Sequence, residues 1–289
     1  MLISSYLDYN VADPTNPEFR EGIAKLNYVE IDASGQHDSS RGGLRFERPD
    51  DDNLQANTVY STVESCVIHD SDSFGVVFDK TSLVNFNNNI VHKNWQHGIY
   101  VTESSNINLR GNLVVGTEPR PHMKTAEEKS SNFFICVTTP ATCSGINFEG
   151  NYAAGADFVG IFAPAAPCSD APAVTWGLGN YVSSSMVGWR YTKSSTDTCI
   201  KHEIPVTIFK SSMGGVMSKA GAESVTLKNL ILVDNAKAIS VVPGCNEDGY
   251  VEIADSVIIG RSIHSYCDSS NCGSSECTQR KGTILGGFR

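Results

Sequence analysis

The chain has 289 residues, of which 40% are hydrophobic and 19% charged, so it can bury a core and is not globally disordered. A formal net charge of −10 argues against a nucleic-acid partner, because phosphates favour basic surfaces. No stretch approaches the roughly 20 apolar residues of a membrane helix, and the start, MLISSYLDYNVADP, lacks the basic and apolar regions of a signal peptide.

Residues 1–25 read as an irregular lead-in, with Asp13-Pro14 and Asn16-Pro17 as turn signals. Leu26 to Ile31 and Gly43 to Phe46 read as short strands. Arg48 to Gln55 reads as a loop whose triplet Asp50-Asp51-Asp52 is either a solvated turn or a calcium contact, without EF-hand spacing.

From Val63 to Val114 the chain repeats at 23 residues. Val63, Phe86 and Leu109 fall in register (86−63 = 109−86 = 23), as do Cys66, Asn89 and Asn112. β-Branched residues, turn residues and the lack of helical periodicity mark each repeat as one coil of a β-solenoid. The expected fold is all-β: a right-handed parallel β-helix with coils of about 23 residues and inserted loops. The whole chain, 1–289, is expected to form one domain, with 115–145 an inserted loop and 268–289 a tail or end-cap.

Two columns carry the repeat onward. One holds Asn89, Asn112, Asn151, Asn180 and Asn229; the other holds Gly75, Gly98, Gly160 and Gly188. Stacked Asn at a bend tolerates left-handed backbone and hydrogen-bonds along the stack, and Gly allows a tight corner. The residues after Gly (Val76, Ile99, Ile161, Trp189, Val216, Ile239) are apolar. So are those read as following Asn: Val67, Ile90, Leu113, Tyr152, Tyr181, Ile208 and Leu230. Both columns are expected to face inward.

Eight of the nine cysteines lie beyond the repeat. Cys136, Cys143, Cys168, Cys199, Cys267 and Cys272 are disulfide candidates, with Cys136 and Cys143 pinning the insertion and Cys168 pairing with Cys199. Zinc is the competing reading, but Cys272 and Cys277 lack CxxC spacing and no His pair follows them. Cys66 is expected to be a small buried hydrophobe in the Asn column. Stapling in an oxidising compartment without a signal peptide points to an internal piece of a longer protein.

Several phrases in series resemble the fibrocystin and fibrocystin-L family. They are Val29-Glu30-Ile31 with Gly35-Gln36, Val63-Glu64-Ser65-Cys66-Val67-Ile68-His69, His97-Gly98-Ile99-Tyr100, Gly111-Asn112-Leu113-Val114 and Leu232-Val233-Asp234-Asn235. The resemblance implies the extracellular β-helix region, next to or including a G8 domain, of a large cell-surface or ciliary protein. A related branch, the cell-surface hyaluronidases, carries a Gly-His-Ala-type phrase and an acidic pair. The matching positions here are His97 and Glu103, and the Gly before His is missing.

Glycan-cleaving chemistry needs two carboxylates across the bond. The outward columns Val77, Tyr100, Phe162, Arg190, Met217, Ser240 and Glu64, Asn87, Arg110, Glu149, Leu178 hold no adjacent pair. His97 and Glu103 are the only catalytic candidates, and a packed His97 is the competing reading. His69 and His92 share a column and could form a two-His metal site or merely stack; no third ligand lines up. The expected function is therefore a structural or interaction module without cofactor. Its partners would be other extracellular or ciliary-surface proteins, or end-to-end or lateral copies. The alternatives are a hyaluronidase-like glycan-depolymerising enzyme, or a glycan-binding module using Tyr100 and Trp95.

Overall fold

Alternating side chains build the walls of the molecule. In the computed structural model, which describes residues 2–4, 6–10, 13–20, 23–36, 41–47, 59–119, 130–138, 142–164, 166–167, 173–192, 198–218, 224–241 and 250–260, short strands stack in parallel from coil to coil. The result is a right-handed parallel β-solenoid.

Sheet 1 has six strands, including Ser61–Glu64, Ser82–Asn87, Ser105–Arg110 and Val174–Trp176. Sheet 2 has nine, from Glu30–Asp32 through Val67–His69, Ile90–His92 and Leu113–Val115 to Val257–Ile259. Sheet 3 also has nine, among them Leu44–Glu47, Val76–Asp79, His97–Thr102, Ser131–Ile135, Val159–Pro164 and Val187–Thr192. Sheet 4 contains Thr198–His202, Ser224–Lys228 and Tyr250–Ala254 and serves the later coils in the place of sheet 1.

Each sheet sends apolar columns inward. Val63, Phe86, Leu109 and Phe148 are in register in sheet 1, and all are buried. Sheet 3 contributes Val76, Ile99, Phe133, Ile161, Trp189 and Val216, also buried. The residue after Gly therefore faces inward as expected.

The residue after Asn does not. Ile90 and Tyr152 are 40% and 50% exposed, and the following residues, Val91 and Ala153, fill the core instead. The corner residue itself points inward, so its successor must point out, because side chains alternate along a strand. Ile208 is buried because it pairs with Val182, one place further along.

The Asn corner works through hydrogen bonds. Asn112 Oδ1 accepts from the Asn89 amide at 3.0 Å, and its Nδ2 donates to the Phe86 carbonyl at 2.8 Å. Asn89, Asn151 and Asn180 repeat the arrangement on Cys66, Asn112 and Asn151. The left-handed residue stands one place earlier, at Ser65, Asn88, Gly111, Gly150 and Gly179. Asn229 is not in this ladder. Asn180 pairs with Val206, and Val206 with Leu230, so Asn229 occupies the left-handed position (φ 59°) and donates to the Glu203 carbonyl. The interval between corners is 9 residues from Asn151 to Gly160 but 8 from Asn180 to Gly188, so counting by 9 slips the register by one.

The Gly corner is set by crowding. A Cβ on Gly98 would strike Val114 Cγ1 and approach the Asn132 carbonyl, and one on Gly75 would lie 2.6 Å from the Gly98 carbonyl. Asn132 occupies this column between Gly98 and Gly160, because Ser131–Ile135 is a regular core strand within the segment expected as an insertion. Cys136 and Cys143 close the following turn by a disulfide.

Candidate functional site

Outer side chains of sheet 2 fall into two columns. The first runs Glu30, Val67, Ile90, Leu113, Tyr152, Tyr181, with Tyr152 and Tyr181 in ring contact at 5.5 Å. The second begins Asp32, His69, His92, and its head carries the densest chemistry among the described residues.

His69 is held from both ring nitrogens. Nδ1 lies 2.6 Å from Asp70 Oδ2 and 3.3 Å from Asp32 Oδ1, and Nε2 lies 3.0 Å from Glu30 Oε1. The rings of His69 and His92 stack with centroids 4.8 Å apart and planes 1° from parallel. Three local features create the cluster. Parallel pairing places Asp32 beside His69; alternation puts Glu30 on the same outer face; and a left-handed turn at Asp70 (φ 50°) folds its carboxylate back.

The electrostatics follow the contacts. Hydrogen bonds to Asp70 and then Glu30 hold the His69 pKa above the usual imidazole value, and the same bond holds Asp70 below the usual carboxylate range. Burial, then the neighbouring His69 charge, lowers His92. The groups missed from sequence are Glu30, Asp32 and Asp70. Asp70 is legible as the direct neighbour of His69. Asp32 is not, because it lies 37 residues before His69 rather than 23.

His97 and Glu103 are not brought together. His97 opens the strand that Glu103 follows, and six residues of extended chain span about 20 Å. His97 is 1% exposed, its Nδ1 lies 2.7 Å from Ser131 Oγ, and its ring packs against Phe74 and Phe134. Tyr100 stacks between Phe74 and Phe134, and both it and Trp95 are half-buried, so neither offers a free platform.

One outward carboxylate pair does lie on adjacent coils. Glu47 pairs with Asp79 in sheet 3, and Arg45 binds both, at 2.8 and 2.6 Å. Burial raises the Asp79 pKa, with Arg45 opposing.

Cys66 is a buried free thiol. Cys199 is disulfide-bonded, with its partner outside the described residues. Cys168, Cys267, Cys272 and the triplet Asp50-Asp51-Asp52 lie outside the described residues. Among the described residues no helix is long and apolar enough to cross a membrane.

Residues 13–114 and 37–163 match a family model described as right handed beta helix region. Fibrocystin of the dog, Canis lupus familiaris, is 28% identical over 215 residues, which cover 72% of this chain and 5% of fibrocystin. The chain thus spans a small fraction of that relative's length. No solved structure matches.

Proposed function

The chain belongs to the right-handed β-helix family, and on that premise we propose that it is a rigid interaction module of a large extracellular, fibrocystin-like surface protein. The observation that carries this reading is the outer face of sheet 2. Val67, Ile90, Leu113, Tyr152, Tyr181, Ile231 and Val257 share one outer column, interrupted at Thr207, and Ile90, Tyr152, Ile231 and Val257 are each at least 40% exposed. Contiguous exposed apolar surface marks interaction sites in soluble proteins. A stacked solenoid supplies a stiff frame for such a face. The 28% likeness to fibrocystin and the disulfide between Cys136 and Cys143 support a location outside the cell, at the surface or on a cilium. Other surface proteins, or end-to-end or lateral copies of the module, are the partners this reading implies.

The Glu47–Asp79 pair favours a second reading, a glycan-depolymerising enzyme, because acid–base cleavage uses two carboxylates on one wall. Arg45 opposes it by engaging both carboxylates. Incubating the purified chain with hyaluronan and related glycans, with and without calcium, separates the two. The interaction module leaves chain length unchanged. Shortening that disappears in Asp79→Asn replaces the module reading with the enzyme.

A further inference from the structure

The cluster at the head of sheet 2 has the form of a metal site. Nδ1 of His69, Oδ1 of Asp32 and Oδ2 of Asp70 all lie within 4.8 Å of one another. Two ligands about 2.1 Å from a tetrahedral ion stand about 3.4 Å apart. The Nδ1–Asp32 separation of 3.3 Å matches that value, and the Nδ1–Asp70 separation of 2.6 Å is shorter. Asp32 and Asp70 are 60% and 45% exposed in their side chains, so small rotations can open the shorter one.

The opposite ring nitrogen supplies a separate observation. Glu30 lies outside this triad and meets Nε2 from the far side of the ring. A metal-binding imidazole characteristically donates its other N–H to a carboxylate, which fixes the tautomer and turns the lone pair toward the ion. Here that bond would leave the Nδ1 lone pair facing the two aspartates.

Charge points the same way. Glu30, Asp32 and Asp70 carry three negative charges, and Lys93 Nζ stands 3.9 Å from Asp70 Oδ1.

We propose that His69, Asp32 and Asp70 bind a divalent transition-metal ion of the zinc class, with Glu30 orienting the imidazole from outside. The nitrogen donor selects against calcium and magnesium, which take oxygen ligands. The remaining coordination positions face solvent, where water or a partner's side chain can fill them. His92 stacks on His69 and is not a ligand.

The test is a cobalt(II) titration of the metal-free 289-residue chain, followed by visible ligand-field absorption, with zinc competing. The expected result is saturable one-to-one binding that zinc displaces. His69→Gln and Asp70→Asn weaken it at least tenfold, Glu30→Gln weakens it about tenfold, and His92→Gln leaves it unchanged. Circular dichroism and melting temperature verify each fold, and exposed Asp70→Asn serves if His69→Gln misfolds. Absence of saturation below about 1 mM, or equal binding by Asp70→Asn and the parent chain, overturns the site.

Discussion

Asn112 is fully buried and answers for a corner of two coils. Its Oδ1 accepts from the Asn89 amide, and its Nδ2 donates to the Phe86 carbonyl and to Asn151 Oδ1. Asn112→Ala strands a backbone donor and a backbone acceptor in an apolar interior, a cost of about 2–4 kcal/mol. Asn108 also sits in an amide ladder, donating to Asn85 at 2.6 Å and accepting from Asn147 at 2.7 Å, but it is half-exposed on the outer wall. Water replaces its partners, so Asn108→Ala stays within about 0.5 kcal/mol. Urea denaturation of the two variants measures the contrast. His202 is the other residue whose burial is consequential. It sits among Trp176, Trp189 and Tyr191, with Nδ1 2.9 Å from the Tyr191 hydroxyl. Burial lowers its pKa to about 4, against a partial opposing pull from the Ile204 backbone. The folded pKa lies below the unfolded value of 6.5, so the unfolded chain binds the proton first as pH falls. The His202 contribution is complete above about pH 6.5 and is lost between there and about pH 4, up to about 3 kcal/mol in all. His202→Phe flattens this part of the stability–pH curve, measured by denaturation at pH 7, 5.5 and 4.

At the scale of strands and corners, the Gly column is fixed by contact and the Gly before a corner by conformation. Gly98 has ordinary backbone, but its Cβ position is taken by Val114 Cγ1. Gly116 has φ +65° and nothing within 4 Å. Gly98→Ala therefore costs about 1–3 kcal/mol through overpacking, and Gly116→Ala about 1–2 kcal/mol through the left-handed backbone. Gly116→Asn separates the causes, since Asn tolerates that conformation and recovers part of the loss, whereas Gly98→Asn is worse than Gly98→Ala. Thermal melts of the four variants decide it. The same distinction explains what was legible. Between Val63 and Val114 the coil length is constant, so the pairing of His69 with His92 follows from subtraction. Beyond it, corner spacing changes by one residue, and one residue exchanges the inner and outer faces of a strand. For that reason a constant interval of 9 residues leads to Asn229, whereas Leu230 stands in register with Asn180. Asp32 escaped because 37 residues separate it from His69, and no period reports a ligand across an irregular connection.

For the whole molecule, the consequence of stacking is that stability is local. Each coil pairs only with the coil before and after it, as Val76–Asp79 pairs with Leu44–Glu47 and His97–Thr102. In such an array free energy is close to a sum of coil terms and nearest-neighbour terms. Disturbance from one corner therefore fades along the axis instead of weakening every strand equally. Gly98→Ala presses on Val114 and on the Asn132 carbonyl, which belong to its own coil and the next. Amide hydrogen exchange of this variant should quicken in Val76–Asp79, His97–Thr102, Leu113–Val115 and Ser131–Ile135, while Val206–Phe209 and Ser224–Lys228 keep parent rates. A uniform rise across both groups would show that the chain opens as one cooperative unit. The frame would then transmit strain along its axis, and partner binding on the outer face of sheet 2 would be coupled to the far coils. Localised exchange instead makes each stretch of that face an independent surface, able to change its side chains without altering the coils beyond its neighbours.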